Sequence, residues 1–198
     1  MMPHIIDISQ RLDASIAVWP GDTPFATSWT ARLDRGDAAN VGSVTMSLHT
    51  GTHADAPRHI LDSGAAIDAI LNPFIGPALV VEATSGKAVN SSTLCDLPKE
   101  ISPRVLFKTG GGCLDASAAR ELVARGVRLV GLDSPSIDSE ESNTLEVHHI
   151  LADAGVVILE NLDLSAVTPG AYELVALPLR LVGMDASPVR AILRKLES

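Results

Sequence analysis

Strict alternation runs through SVTMSLH at residues 43–49, with Val44, Met46 and Leu48 on one side and Ser43, Thr45, Ser47 and His49 on the other. A period of two marks a half-buried strand. Apolar runs bounded by polar or turn residues predict further strands at HIIDIS (4–9), ALVVEAT (78–84), RVLFKTG (104–110), VRLVGLD (127–133), VVILE (156–160) and YELVALPLRLV (172–182). Helical stretches lie between them. ASAARELVARG follows Asp115, a good N-cap, and closes at Gly126. A second helix is expected over 144–154, with Ser142 or Asn143 as cap and Gly155 as stop. Strands outnumber helices. The pattern predicts the α/β class: one compact mixed α/β domain spanning 1–198, strand-rich with a few helices around one main sheet.

Composition narrows what such a domain can do. The chain has 198 residues, 46% of them hydrophobic, which is enough for one sizeable core. Its net charge is -9 and no Lys/Arg stripe is present, so nucleic acid is not an expected partner. The longest apolar runs, such as ALVV and VVIL, are too short to cross a bilayer, so no membrane partner is expected. The opening MMPHIIDISQ lacks a basic segment followed by a long apolar one, so no signal peptide is expected. Cys95 and Cys113 have no CxxC partner and cannot form a disulfide framework, which fits a reducing cytoplasm.

The chemistry concentrates in HTGTHADAPRH, residues 49–59, which holds three of the chain's six histidines and one aspartate. Full extension would put His49 and His53 on one face but about 13 Å apart, at roughly 3.3 Å per residue. Ligands of one zinc ion sit about 2.0–2.1 Å from it, so the chain must bend, and Gly51 permits the bend. Thr50, Gly51, Thr52 and Pro57 disfavour a helix here. A polar loop whose histidines cap turns is the plain alternative. Four potential ligands, His49, His53, Asp55 and His59, with a glycine at the bend favour a metal site.

Further ligands must come from elsewhere in the chain. In TLEVHHILADAG, Val147, Ile150, Leu151 and Ala154 form the apolar stripe at about 100° per residue, and His148 lies beside it. His149 points away, so His148 is the inward-facing candidate. Glu160 ends a buried run. It either marks the exit to solvent or reaches into a site at the strand ends, and the pattern alone allows both.

HTGTHADAPRH resembles the HxGTHxDxPxH signature of the cyclase family of metal hydrolases. The WPGDTPF loop, LDSPSID (132–138), LEVHH (145–149), ILENLDL (158–164) and YELVALPLRLVGMDASPVRAIL (172–193) extend the likeness nearly end to end, and the late segments resemble its formamidase branch. The resemblance implies two zinc ions per subunit, with manganese or another divalent ion as the substitute. It implies His49, His53 and Asp55 on the first ion, Asp55 and Glu160 bridging to the second, and His148 completing that one. It leaves His59 as the catalytic acid/base and implies that Trp19 lines the substrate pocket. A Trp in a Pro-Gly turn is poorly placed for deep core. The implied reaction splits the formamide of N-formyl-L-kynurenine into L-kynurenine and formate, and the implied assembly is a homodimer.

Other readings predict different chemistry. A relative such as an isatin hydrolase with a single manganese would share residues 49–59 and is expected to lack the carboxylate bridge. A non-catalytic, metal-stabilised module would have a closed and cysteine-rich site, which this sequence lacks. GLDSP (131–135) is not a GxSxG elbow, and KTGGG (108–112) is not a P-loop.

Overall fold

The computed structural model describes residues 5–83, 86–95 and 97–196. The predicted strands around His4 and Thr84 therefore end, at those residues, outside the described residues. Nine strands form the main sheet: β1 (Ile5–Asp7), β4 (His53–Asp55), β5 (Ile75–Glu82), β6 (Arg104–Lys108), β7 (Leu129–Leu132), β8 (Val157–Glu160), β9 (Gly170–Val175), β10 (Ala186–Pro188) and β11 (Ile192–Lys195). Their order is β1-β11-β9-β5-β6-β7-β8-β4-β10. β5 through β8 run parallel, and the strands on either side are antiparallel. β2 (Ala26–Ala31) and β3 (Val41–Thr45) form a separate hairpin.

The parallel block explains the helices, because parallel strands need crossovers. α1 (Ala116–Ala124) links β6 to β7, and α2 (Glu146–Asp153) links β7 to β8. Both pack on one face of the sheet, where Leu122, Val147 and Leu151 meet Val105, Phe107, Val130 and Ile158. The opposite face has its own core, in which Ile8, Ile67 and Phe74 cover Leu106, Leu129, Leu159 and Leu174. Buried on both sides, the central strands read as continuous apolar runs. No helix among the described residues is long and apolar enough to cross a membrane.

Three sequence expectations are corrected. The alternating run 43–49 is not a half-buried strand. The strand stops at Thr45 with every residue exposed, because β3 pairs only with β2 and lies on no core. The run 172–182 is strand only to Val175. It then leaves the sheet through Pro178, a residue that lacks an N–H and is confined to sheet edges and bulges. The α2 helix is not capped by Ser142 or Asn143. Leu145 enters it at φ 48, and the carboxylate of Asp138 accepts the Val147 and His148 N–H groups at 2.9 and 3.0 Å. The α1 expectations hold: Asp115 accepts from the Ala118 N–H at 2.9 Å, and Gly126 has φ +77.

Candidate metal centre

The site begins with β4. Gly51, at φ +63, turns the chain after His49, and a Cβ there would also lie 2.6 Å from the Leu12 side chain. The chain then enters the main sheet as His53-Ala54-Asp55, sandwiched between β8 and β10. With a period of two, His53 and Asp55 share one face. His53 stands directly across from Glu160 on β8, so their Cβ atoms fall about 4.5–5.5 Å apart. α2 presents His148 to the same space, and His149 is exposed on its outer side. His59 follows in the short turn Pro57–His59, whose Pro57 begins the turn and is buried.

The donor atoms converge at metal-ligand spacing. Asp55 Oδ1 lies 3.0 Å from His49 Nδ1 and 3.4 Å from His53 Nε2, while Asp55 Oδ2 lies 3.8 Å from His148 Nε2. Glu160 Oε2 is 3.4 Å from His53 Nε2, and its Oε1 is 3.3 Å from His148 Nε2. Four ligands about 2.0–2.1 Å from one ion sit roughly 3.3–3.4 Å from each other. Each carboxylate therefore turns one oxygen toward His53 and the other toward His148.

The fit to a cation rests on orphaned atoms. His53 Nε2 and both Asp55 oxygens are buried without a hydrogen-bond partner. Leaving such groups unpaired costs about 1–3 kcal/mol each, and more when they are charged. A divalent ion satisfies them together. His49, Asp55 and His59 bring one donor each within 4.8 Å of one another, as do His53, Asp55 and Glu160.

Each histidine in the cluster is held through its other nitrogen. His53 Nδ1 donates to the Gly51 carbonyl at 2.8 Å. His148 Nδ1 donates to Asp138 at 2.6 Å. His49 Nε2 meets Asp185 Oδ2 at 2.9 Å, and His59 Nδ1 meets the same oxygen at 3.3 Å. Such outer partners fix ring orientation and tautomer at metal sites. Glu160 Oε1 accepts the Ile137 N–H at 2.7 Å.

Electrostatics follow from burying these charges together. Burial pushes His49 down, but the carboxylates of Asp55 and Asp185 outweigh it and raise its pKa to about 9. Burial also opposes charge on His148, and Asp138, Asp55 and Glu160 nevertheless push it up to about 12. His53 is raised as well, by Asp55 and Glu160 against burial. Asp55 is held well below the usual carboxylate range, because the surrounding histidines outweigh its burial.

All the sequence-predicted ligands, and His59, therefore come together in one space. Trp19 lies in a turn that its carbonyl closes with the Asp22 N–H at 3.0 Å, and it is 42% exposed. Its loop is tied to the site's approach, since Ser47 Oγ donates to Asp22 at 2.7 Å and Leu12 and Ile16 flank Gly51. Sequence reasoning missed Asp138 and Asp185. Asp138 is one of several acids before the helix with two histidines, among them Glu140 and Glu141, so no local signal singled it out, and Asp185 offered nothing beyond an acid in a late loop.

The family model described as "Putative cyclase" matches residues 6–139. The chain belongs to the cyclase family. Within it, the chain is 46% identical to a kynurenine formamidase of Geobacillus thermodenitrificans, over 99% of this chain and all of that protein. It is 43% identical to a kynurenine formamidase of Salinibacter ruber, over 96% and 97% of the two chains. A solved structure described as a potential metal-dependent hydrolase with cyclase activity superposes with a TM-score of 0.82 at 28% identity, over 98% of this chain and 99% of that one. Isatin hydrolase A of Labrenzia aggregata superposes with a TM-score of 0.83 over 98% and 94% of the two chains, and at 23% identity it shows the shared fold.

Proposed function

We propose that this chain hydrolyses the formamide of N-formyl-L-kynurenine to L-kynurenine and formate, as a step in tryptophan breakdown. The observation that carries this reading is end-to-end identity of 41–46% with kynurenine formamidases. The buried donor set gives that likeness a chemical basis.

In this reading His49, His53, Asp55, His148 and Glu160 would hold two zinc ions, with the Asp55 and Glu160 carboxylates shared between them. The two-sided carboxylates support the pair of ions, and manganese or another divalent ion is the substitute. A divalent ion supplies Lewis-acid polarisation of a carbonyl and lowers the pKa of water from 15.7 toward about 7. The chain's own residues supply the rest. The water oxygen bonds to the formyl carbon, His59 moves one of its protons to the leaving nitrogen as the C–N bond breaks, and the resulting formic acid gives its remaining acidic proton to solvent to leave as formate. Proton transfer by a positioned group contributes typically about 10²–10⁴-fold. Trp19 stacks on the aryl ring of the leaving amine.

The working unit in this reading is a homodimer in the cytoplasm. The β2–β3 hairpin supports the dimer, since a two-stranded ribbon is marginal alone and this one exposes Trp29, Val41 and Val44. Both cysteines are free, in keeping with a reducing compartment. Light scattering should give twice the chain mass, and a monomer would sink that part.

The deciding experiment is metal content by mass spectrometry beside turnover of N-formyl-L-kynurenine and isatin. Two ions per chain and preferential formamide cleavage are expected. Preferential isatin cleavage, or one ion under excess zinc, would overturn the substrate or the stoichiometry respectively. Removal of metal should abolish turnover and leave the chain folded.

A further inference from the structure

We propose that Asp185 is a positioning residue that aims two rings at once. It holds His49 with Nδ1 toward the metal site, and His59 with Nε2 free for the proton transfer. The inference rests on the formamidase reading for the roles of His49 and His59.

The geometry is specific. One oxygen, Asp185 Oδ2, contacts His49 Nε2 at 2.9 Å and His59 Nδ1 at 3.3 Å. The two rings lie 4.4 Å apart, tilted 45° to each other, so one oxygen clamps both. A carboxylate only accepts, so each contacting nitrogen carries a hydrogen. A neutral imidazole then has its lone pair on the opposite nitrogen. For His49 that is Nδ1, which lies 3.0 Å from Asp55 Oδ1. For His59 it is Nε2.

Asp185 is itself fixed by the frame of the site. Its carbonyl accepts the Ala56 N–H at 2.9 Å, and the next residue, Ala186, opens β10 in register with Asp55. Neighbouring contacts hold the loop as well: Met184 O accepts from Ile67 N, and Asp68 accepts from Gly183 N. The side chain is 41% exposed, against 5% for Asp138, so it bears less of the burial cost than Asp138 does. His53 and His148 each have a private orienting partner. Asp185 differs in serving a proposed ligand and the proposed proton carrier together, which couples metal loading to the aim of His59.

The test uses metal-loaded protein and three readouts. Nitrogen-15 spectra of the histidine rings, with the His59 signals assigned by their loss in His59→Ala, should show His59 protonated at Nδ1 in the wild type. Asp185→Ala should shift it toward the Nε2–H form. Chelator competition should show metal affinity about 10–100-fold weaker in Asp185→Ala, the usual effect of removing an outer-sphere partner. Asp185→Asn keeps a neutral acceptor at the same reach and should restore most of both properties. Turnover should fall in kcat more than in KM. The same substitution in a His59→Ala background should cost little further kcat, since groups acting as a unit are non-additive.

An unchanged His59 tautomer with unchanged metal affinity in Asp185→Ala overturns the proposal. Full additivity in the double variant overturns the His59 half. Should Asp185→Ala fail to fold, Asp185→Ser, whose hydroxyl is too short to reach either ring, answers the same questions. If the wild type does not cleave N-formyl-L-kynurenine, the formamidase reading falls, and the spectra and metal affinity still decide Asp185.

Discussion

Removing the carboxylate of Asp138 should damage stability and metal binding together, in amounts that can be separated. Asp138 is buried and takes three donors: the Val147 N–H at 2.9 Å, the His148 N–H at 3.0 Å and His148 Nδ1 at 2.6 Å. Asp138→Ala leaves all three unpaired in a dry environment. Each stranded donor costs about 1–3 kcal/mol, and losing a helix cap alone costs about 0.5–2 kcal/mol. The expected loss is roughly 3–5 kcal/mol, at the upper end for one substitution. His148 also loses the contact that holds a hydrogen on Nδ1 and turns Nε2 toward Glu160, so affinity at that position should drop about 10–100-fold. Asp138→Asn divides the two effects. Turned to cap Val147, its amide presents N–H₂ to His148 Nδ1 and moves the ring proton to Nε2, the atom 3.3 Å from Glu160. This variant should retain part of the stability and still bind metal weakly. Urea unfolding of the metal-free protein reads the first quantity, and chelator competition reads the second. Wild-type metal affinity in both variants would refute the orienting role, and wild-type stability in Asp138→Ala would refute the cap.

His59→Ala should keep the fold and the full metal content yet lose most turnover, whereas Asp55→Ala should lose metal too, as mass spectrometry beside a rate assay will report. Trp19→Ala should weaken cleavage of N-formyl-L-kynurenine by about 0.5–1.5 kcal/mol in kcat/KM and leave a small aliphatic formamide nearly unaffected; equal losses would assign Trp19 to loop structure. His49, raised to about 9 in the metal-free fold from an ordinary 6.5, binds its proton more tightly folded than unfolded. It therefore contributes stability that is fully present below about pH 6.5 and lost as pH rises through about 9. The Tm of metal-free protein should fall over that window, and the fall should be shallower in His49→Ala. Metal loading at pH 7.5 should release at least two protons, from His49 and His148; calorimetry in buffers of different ionisation enthalpy measures this.

Much of this arrangement was legible because local rules and tertiary demands agree. The Asp115 cap and Gly126 stop of α1 are local chemistry and read directly. His148 was chosen over His149 because an apolar stripe fixes which way a helix faces, and the structure buries the first and exposes the second. The bend at Gly51 followed from the reach of an extended chain. Legibility failed where partners come from far along the sequence. The alternation of 43–49 could not reveal that its strand had only β2 to lie against. The cap of α2 comes from Asp138, seven residues before Leu145, so the nearby Ser142 and Asn143 were poor guides. β4 is three residues long and takes its strand character from β8 and β10. Asp185 is 136 residues from His49 and carries no local pattern.

The opposition of His53 and Glu160 across β4 and β8 also has a consequence for sequence drift. Side chains alternate along a strand, so a slip of one residue turns every one of them to the other face. His53, Asp55 and Glu160 therefore depend on odd-and-even parity within two short strands. An inserted residue between 53 and 55, or between 157 and 160, would exchange site side chains for those of Ala54 and Leu159, which belong to the opposite core. Among the described residues, the long stretch from β5 to the end of β7 supplies no donor to the cluster. Its connecting loops are free to lengthen or shorten by any count without disturbing that parity.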